Sequence, residues 1–355
     1  MLFGKSKSQL GIDIGTSNIK IVQLRPENNR FILETYGLVN VSYQITNKDS
    51  TLAINQTAAI LKNLIAKAKV TTNQIVASLP NSAVFTSVIE MPKIPRDELK
   101  AAVEFEAKKY VPLPLSEVAL SWSVLENRHP KVTRETNLGN LKAVDESKNR
   151  ILLTAVPSAV IDNYLKVFQL AGLEPLALEI EALSLIRSLV AEDARTTILI
   201  DIGAKSTSIN LVDDGYLRLS KNLNVGGDTV TTSIAGSLSV NFSRAEQFKK
   251  DFGLSTSSPQ MPQMMRPILD ILKNEAMQLI NLYESRGERI EKIILSGGGS
   301  KLPHLVEYFS SLGKTVVLAN PWSHIVYKPD LKPIVESQGL NLAVAIGLAM
   351  RRADK

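Results

Sequence analysis

Two ten-residue stretches share one grammar, and their duplication constrains the fold more than any other feature of the chain. Gly11-Ile12-Asp13-Ile14-Gly15-Thr16-Ser17-Asn18-Ile19-Lys20 runs on into Ile21-Val22-Gln23-Leu24. Ile200-Asp201-Ile202-Gly203-Ala204-Lys205-Ser206-Thr207-Ser208-Ile209 runs on into Asn210-Leu211-Val212. In each, a buried-strand pattern meets an aspartate, a glycine permits a tight turn, and extended character resumes, which predicts a hairpin with a small polar tip. Backbone N–H groups of Thr16, Ser17 and Asn18 can close on an anion at such a tip, and the aspartate before it can hold a hydrated Mg²⁺ that offsets phosphate charge. Asp13 and Asp201 are 188 residues apart, too far for a short solenoid repeat and suited to two similar domains whose clamps face one ligand. A third element, Ile293-Ile294-Leu295-Ser296-Gly297-Gly298-Gly299-Ser300, carries a strand into bare backbone where a flat ring or a ribose could approach closely. Gly203-Ala204-Lys205-Ser206 has the look of a P-loop tail but lacks that motif's earlier glycine.

Bulk properties narrow the class. A chain of 355 residues should hold two or more domains, and 44% hydrophobic with 21% charged residues excludes disorder throughout. The net charge is +6, but lysines and arginines are scattered and few aromatics stand among them, which argues against a nucleic-acid surface. Acidic partners or an anionic membrane face stay open. With no cysteine there is no disulfide, thiolate zinc site or cysteine nucleophile, as suits a cytoplasmic protein. His129, His304 and His324 stand apart, so no histidine metal centre is expected. No run approaches the roughly 18 apolar residues of a membrane span, residues 1–7 lack the apolar core of a signal peptide, and a frayed terminus is expected there.

Along the chain, an extended run at 31–42 follows the first hairpin. A helix is expected over 51–69, with Leu52, Ala59, Ile60, Leu64 and Ala68 apolar, and a strand over 75–79. Pro80, Pro92, Pro95, Pro112 and Pro114 then punctuate short strands at 84–90 and 118–125 around one helix over 96–110, whose face carries Leu99, Ala102, Val103, Ala107 and Tyr110. A small inserted subdomain is the economical reading, with 131–150 a mobile hairpin tip or loop. A strand over 151–156 and a helix over 158–171 follow, capped by Ser158 and stopped by Gly172 and Pro175. Then come a strand at 176–180, Glu181 opening a helix over 182–191, the second hairpin, and a strand over 217–225. Gly226-Gly227-Asp228 turns the chain into a helix capped by Asp228 or Thr229, whose free N–H groups could face a terminal phosphate. Helices at 243–252 and 264–286 flank a Ser/Pro/Gln-rich loop over 254–263. After the triple glycine, a helix at 301–311, a strand at 315–319 and a closing helix over 341–350 complete the reading. Ala343, Ala345, Gly347 and Ala349 of the last are small enough for close packing.

The order Asp-x-Gly, Asp-x-Gly, Gly-Gly-Gly resembles the actin, Hsp70 and sugar-kinase superfamily, in which ATP lies between two related halves. The stretch from Ser78-Leu79-Pro80 through Glu90-Met91-Pro92-Lys93-Ile94-Pro95, with Glu98-Leu99-Lys100-Ala101-Ala102-Val103-Glu104-Phe105-Glu106-Ala107 and Tyr110-Val111-Pro112-Leu113-Pro114-Leu115, narrows this. It resembles the PilM family, actin-like cytoplasmic proteins of type IV pilus assembly that are similar to the division protein FtsA; Lys20 and the helix after Pro157-Ser158 fit it too. The resemblance covers nearly the whole chain, the insert being its specific part and the clamps being common to the superfamily.

What the resemblance implies is an α/β actin-like ATPase fold of two related halves around a nucleotide cleft, with an FtsA/PilM-type inserted subdomain. Subdomain 1A would take residues 1–79 and 151–195, the insert 80–150, subdomain 2A 196–222 and 290–339, and subdomain 2B 223–289. Residues 340–355 would return to 1A as a C-terminal helix. It implies ATP and Mg²⁺, with Asp13 and Asp201 around the hydrated metal and Gly15, Thr16, Ser17, Asn18, Gly203 and Lys205 near the phosphates. The nucleoside would fall to Gly226, Gly227, Glu246, Lys249, Gly297, Gly298 and Gly299, Glu246 and Lys249 lying in an Ala-Glu-x-x-Lys helix. Glu181, placed before the second clamp as the catalytic glutamine is in actin, would polarise the attacking water. Hydrolysis slow at most is expected, because a clamp without a well-held water binds ATP and hardly turns it over.

As partner the resemblance implies the cytoplasmic N-terminal tail of PilN, received in a groove beside the insert, so that the protein is peripheral to the inner membrane through its partner. Other pilus assembly proteins, motor ATPases among them, and a second copy of the chain are further candidates. Two other functions compete. An FtsA-like division scaffold would carry a linker and amphipathic membrane helix, whereas this sequence stops at Met350-Arg351-Arg352-Ala353-Asp354-Lys355 after the closing helix. A sugar kinase needs a base carboxylate in a sugar pocket, and no residue stands out for it. A relative of the cytoplasmic part of GspL would continue into a membrane helix.

Overall fold

The structure is a computed structural model and describes residues 8–28, 30–41, 51–125, 148–191, 193–255 and 260–351. Its first half is a six-stranded sheet. Strands β1 (Gln9–Ile14) and β2 (Asn18–Glu27) form the first hairpin; β3 (Arg30–Asn40) adds antiparallel to β2. On the other side β4 (Gln74–Leu79) runs parallel to β1 and β8 (Glu174–Ile180) parallel to β4, while the two-residue β14 (Ile325–Val326) closes the edge beside β3. Helices α1 (Thr51–Lys67) and α3 (Ser158–Ala171) pack together over this sheet, burying Ile54, Leu61, Val160, Tyr164, Val167 and Phe168 against Leu10, Ile12 and Ile75.

The second half repeats the plan. Strands β9 (Thr197–Ile202) and β10 (Thr207–Asp213) form the second hairpin, β11 (Tyr216–Leu223) adds antiparallel to β10, and β12 (Lys292–Ser296) and β13 (Thr315–Leu318) follow in parallel beyond β9. Both halves therefore run hairpin partner, hairpin, then two parallel strands, as the duplicated motif predicted. Helices α5 (Gly227–Leu238), α6 (Phe242–Phe252) and α7 (Gln260–Glu284) cover the second sheet, and α8 (Leu305–Ser310) packs on β13.

Between the halves lie α4 (Glu181–Leu189) and α9 (Lys332–Ala349), packed on each other. The small residues expected near the C-terminus make this possible. A Cβ on Gly347 would stand 1.9 Å from the Ser184 carbonyl oxygen of α4, and one on Gly11 would stand 2.1 Å from the Ala345 carbonyl oxygen of α9. Backbones meet there because no side chain intervenes.

The insert is a three-stranded antiparallel sheet, β5 (Phe85–Pro92) and β6 (Val118–Leu125) flanking β7 (Lys148–Pro157), with α2 (Arg96–Ala107) on one face. Leu99, Val103 and Ala107 meet Ile89, Ile151, Leu153 and Ala155 in its own small core.

Several local expectations need correcting. Leu52 of α1 is 70% exposed and Ala59 is exposed, because the face against α3 is built from Ala53, Ile54, Thr57, Ala58 and Leu61, where small residues let the helices approach. Tyr110 lies beyond the end of α2 and is exposed. Strand β7 starts at Lys148, so 148–150 are strand rather than loop; the rest of the expected loop over 131–150 lies outside the described residues. Ser158 does not cap α3: β7 runs into the helix through Pro157, which sits at the cap and leaves Ser158 as the first helical residue without a capping bond. Gly172 does stop it, at φ +76°, but Pro175 falls inside β8. Helix α7 begins at Gln260, in the stretch read as a loop; residues 256–259 lie outside the described residues. Pro303 and a left-handed His304 break the helix expected from 301 into a 3₁₀ turn over Gly298–Lys301 and α8. Helix α9 starts at Lys332, nine residues early, with Pro333 in its first turn where a missing N–H costs little.

Candidate functional site

Both hairpin tips, the start of α4, the triple-glycine turn and the middle of α9 converge on one cleft of about 470 Å³. Of the residues singled out from sequence, Asp13, Gly15, Thr16, Ser17, Asn18, Glu181, Asp201, Gly203, Gly227, Glu246, Lys249, Gly297, Gly298 and Gly299 line it; Lys205 and Gly226 do not. The turns are alike: the Gly15 N–H donates to the Asn18 carbonyl at 3.0 Å, and the Gly203 N–H to the Ser206 carbonyl at 2.9 Å. Gly226 instead packs behind the second tip, where a Cβ would stand 2.5 Å from the Ala204 carbonyl oxygen, and Lys205 points from the tip into solvent.

The N-terminus of α5 does not behave as expected. Its cap is Gly226, whose N–H donates to Thr229 Oγ1 at 3.2 Å, and not Asp228 or Thr229. The Gly227 and Asp228 N–H groups donate to the carbonyls of Gly203 and Ala204 at 2.9 and 2.8 Å, so they are spent on holding the hairpin tip rather than free for a phosphate. Helix ends need partners for these N–H groups, and a neighbouring loop has met the need. Lys249 is similarly committed, donating to the Gly227 carbonyl at 3.0 Å and Thr231 Oγ1 at 2.7 Å while its ammonium lies 2.6 Å from Glu246 Oε2. Half-burial pushes the Glu246 carboxyl up, but Lys249 and Thr231 outweigh it and hold the group below the usual range.

The cleft floor holds three carboxylates and one ammonium. Asp13 and Lys20 face each other across β1 and β2, 2.7 Å apart, and Ser78 Oγ, beside Asp13 on β4, donates to its Oδ1 at 2.9 Å. Burial works against the Lys20 ammonium, yet Asp13, with Glu181 and Asp201 beyond it, outweighs burial and raises its pKa. Asp201 has the same place in the second hairpin, but opposite it stands Ser208, and beside it on β12 Ser296. Burial lifts its carboxyl to about 6, with the nearby Ser296 hydroxyl and Lys20 opposing and Asp13 adding. At the start of α4, burial, Asp13 and Asp201 push Glu181 well above the carboxylate range, against Lys20 and a 2.7 Å bond donated by Asn81 Nδ2. Lys20, Asn81, Ser208 and Asn341 of this lining were not singled out as site residues. Lys20 and Ser208 were legible, being seven residues after each aspartate and hence cross-strand from it.

The glycines of the third element serve the cleft by letting β12 end against β9. Gly297 has φ +82°, and a Cβ there would stand 2.4 Å from the Ile202 carbonyl oxygen. The turn so formed brings Gly298 to Asn341 of α9.

A second, larger cavity of about 940 Å³ lies between the insert and the first half, lined by β6, the end of β8 and one side of α4. Strands β6 and β8 are each the outermost of their sheets among the described residues. Glu179 is buried here, 2.7 and 3.0 Å from the Arg187 guanidinium, which also donates to the Gly347 carbonyl at 2.6 Å; Arg351 stands 3.6 Å away.

A duplicated α/β sheet with paired acidic hairpins around one cleft defines a protein of the actin-like ATPase fold. The MreB5 of Spiroplasma citri solved with AMPPNP shares that fold at a TM-score of 0.53 and 13% identity, covering 97% of this chain and 95% of its own. So does the ethanolamine utilization protein EutJ of Carboxydothermus hydrogenoformans, at 0.59 and 17%, covering 97% and 89%. The cell division protein FtsA of Enterococcus faecalis is 20% identical over 341 residues, 85% of this chain and 76% of its own. The chain itself belongs to the PilM family of type IV pilus assembly proteins, whose family model matches residues 11–353. In agreement, a chain of the solved PilM–PilN type IV pilus biogenesis complex is 25% identical, with a TM-score of 0.81 over 98% of both chains.

Proposed function

We propose that this PilM-family chain works in type IV pilus assembly as a nucleotide-binding cytoplasmic component, taking ATP with Mg²⁺ into the cleft and hydrolysing it slowly at most. The observation that carries the reading is the convergence of both hairpin tips and the triple-glycine turn on one cavity with Asp13, Glu181 and Asp201 at its floor. The residues present suit both groups. Ser296 is buried beside Asp201, and Gly227 opens to the cavity with nothing nearer a Cβ than 3.5 Å. Carboxylates forced together and pushed up in pKa are what a divalent cation relieves. Asp201 and Asp13, one from each hairpin, would hold such a metal through its water.

In that reading bound Mg²⁺ offsets phosphate charge, and the rest is done by the chain. Gly15 to Asn18 and Gly203 to Ser206 surround the phosphates, Lys20 supplies a cation, and Glu246, Gly227 and the triple glycine take the nucleoside. Glu181 polarises the attacking water. The cavity beside the insert takes the N-terminal cytoplasmic tail of a PilN-type membrane protein, because two outermost strands with an apolar floor can bind an extended segment. The chain then reaches the inner membrane through that partner; no helix among the described residues is long and apolar enough to cross one. Equilibrium dialysis of ATP with and without Mg²⁺ tests the first part: retention in wild type and loss in Asp13→Ala are expected, and equal retention by both refutes the placement. Titration of the partner's tail peptide tests the second, and absence of binding refutes it.

A further inference from the structure

Asn81 stands where three parts of the molecule meet. It lies in the single turn between β4 and β5, the point at which the chain leaves the first half and enters the insert. Its side-chain amide donates to Glu181 Oε2 at 2.7 Å, and its backbone carbonyl accepts from Asn222 Nδ2 on β11 of the second half at 3.0 Å. Strands β11 and β5 also pack against each other, so the contact across the cleft mouth does not rest on one bond. Both neighbours, Pro80 and Ser82, line the cleft with Asn81 itself.

Glu181 needs such a partner. It stands among like charges, and its other near neighbours, Asp13 and Asp201, repel it. Lys20, the nearby cation, is already 2.7 Å from Asp13. A carboxylate so placed turns away from its neighbours unless a donor fixes one oxygen, and the Asn81 amide is the donor this structure shows. The same residue is fixed in turn by the opposite half through Asn222.

We propose that Asn81 is a positioning residue for Glu181, setting the carboxylate's direction according to how the insert's first turn and the second half are docked. The proposal rests on the reading of Glu181 as the water-polarising group. Closing the cleft onto β11 would seat the Asn81 carbonyl against Asn222 and thereby aim its side chain at Glu181. Separating the halves would free that turn, and the carboxylate with it. Hydrolysis then depends on the bond from Asn81 to Glu181, while nucleotide binding, which uses the hairpin tips and the triple glycine, does not.

Single-turnover hydrolysis of bound ATP and nucleotide affinity are measured for wild type, Asn81→Ala, Asn222→Ala, Glu181→Gln and the Asn81→Ala/Glu181→Gln double variant. Misplacing a catalytic group by about 1 Å costs up to roughly a hundredfold, so Asn81→Ala should slow hydrolysis about ten- to a hundredfold with affinity nearly unchanged. Asn222→Ala, at an exposed position, should slow it in the same direction by less. In the Glu181→Gln background Asn81→Ala should add nothing, since the two act as one unit. A wild-type rate in Asn81→Ala or Asn222→Ala, or full additivity in the double variant, overturns the proposal. A wild-type protein that binds no ATP, or hydrolyses it no faster than Glu181→Gln, overturns the underlying reading of the site and this proposal with it.

Discussion

Replacing Asp201 with asparagine should make the nucleotide-free protein more stable and the loaded one less so. The carboxyl is lifted to about 6 by burial, with Asp13 adding and Ser296 and Lys20 opposing. An unfolded aspartate titrates near 3.9, so between those values the folded chain holds the extra proton. Folded-state stability is therefore fullest below about 4 and declines as pH rises through about 6. A difference of about two units corresponds to about 3 kcal/mol of destabilisation at pH 8, felt only when no cation is bound. Asp201→Asn keeps the shape and removes the charge, so it should recover about 1–3 kcal/mol at pH 8 and about a third as much at pH 4.5. Removing one charge also lets Glu181 relax, since Asp201 is among the groups that raise it. Urea denaturation in chelator at pH 4.5, 6 and 8 reads this directly. Saturating Mg²⁺ and ATP at a hundred times Kd should stabilise wild type by about 2.7 kcal/mol and the variant hardly at all. A variant no more stable than wild type at pH 8 in chelator, or one with the same pH slope, would refute the reasoning.

Two further substitutions probe the frame and the charge pattern. Gly347→Ala would push a methyl to within 1.9 Å of the Ser184 carbonyl oxygen, so α9 must back away from α4; a loss of about 3 kcal/mol in chemical denaturation is expected, with weaker nucleotide retention because α9 also lines the cleft. Ser208→Lys would set an ammonium opposite Asp201 as Lys20 stands opposite Asp13, and should make stability in chelator nearly independent of pH from 5 to 8 while abolishing the Mg²⁺ requirement for nucleotide retention.

The two halves were legible because the hairpin motif fixes more than a turn. An aspartate two residues before a glycine, in a strand that then turns back, sets the register that puts Asp13 opposite Lys20 and Asp201 opposite Ser208. Apolar runs flanking each motif could only be central strands, and the proline-punctuated segment between them had to be something else. Helix ends were less legible. Pro157 and Gly226 occupy caps that side-chain rules award to Ser158 and to Asp228 or Thr229, since β7 runs directly into α3 and the first N–H groups of α5 are held by the second hairpin tip. The interior of the site was legible as a list of residues and not as a set of bonds. No local signal says that the amides at the start of α5 are consumed by the second hairpin tip, or that Lys249 is held by Gly227, Thr231 and Glu246. Those partners lie up to two dozen residues away, and only packing decides which of several donors reaches them.

Duplication also explains why the charges on the cleft floor do not balance. Had both hairpins a lysine seven residues after the aspartate, each of the two aspartates would face its own counter-ion and only Glu181 would be left over. Here only the first does, with Lys20 at 2.7 Å from Asp13. In the second half a serine at the same register leaves Asp201 with hydroxyl neighbours, and Glu181 enters the same space from α4. A pair of equivalent positions has become one satisfied ion pair and one unsatisfied charge. The folded chain bears that imbalance because its α4 and α9 backbones are locked at Gly347 and its hairpin tip is tied to α5, leaving the carboxylates little freedom to separate. In the function proposed above, relief comes from a proton or from the divalent cation that accompanies the phosphates.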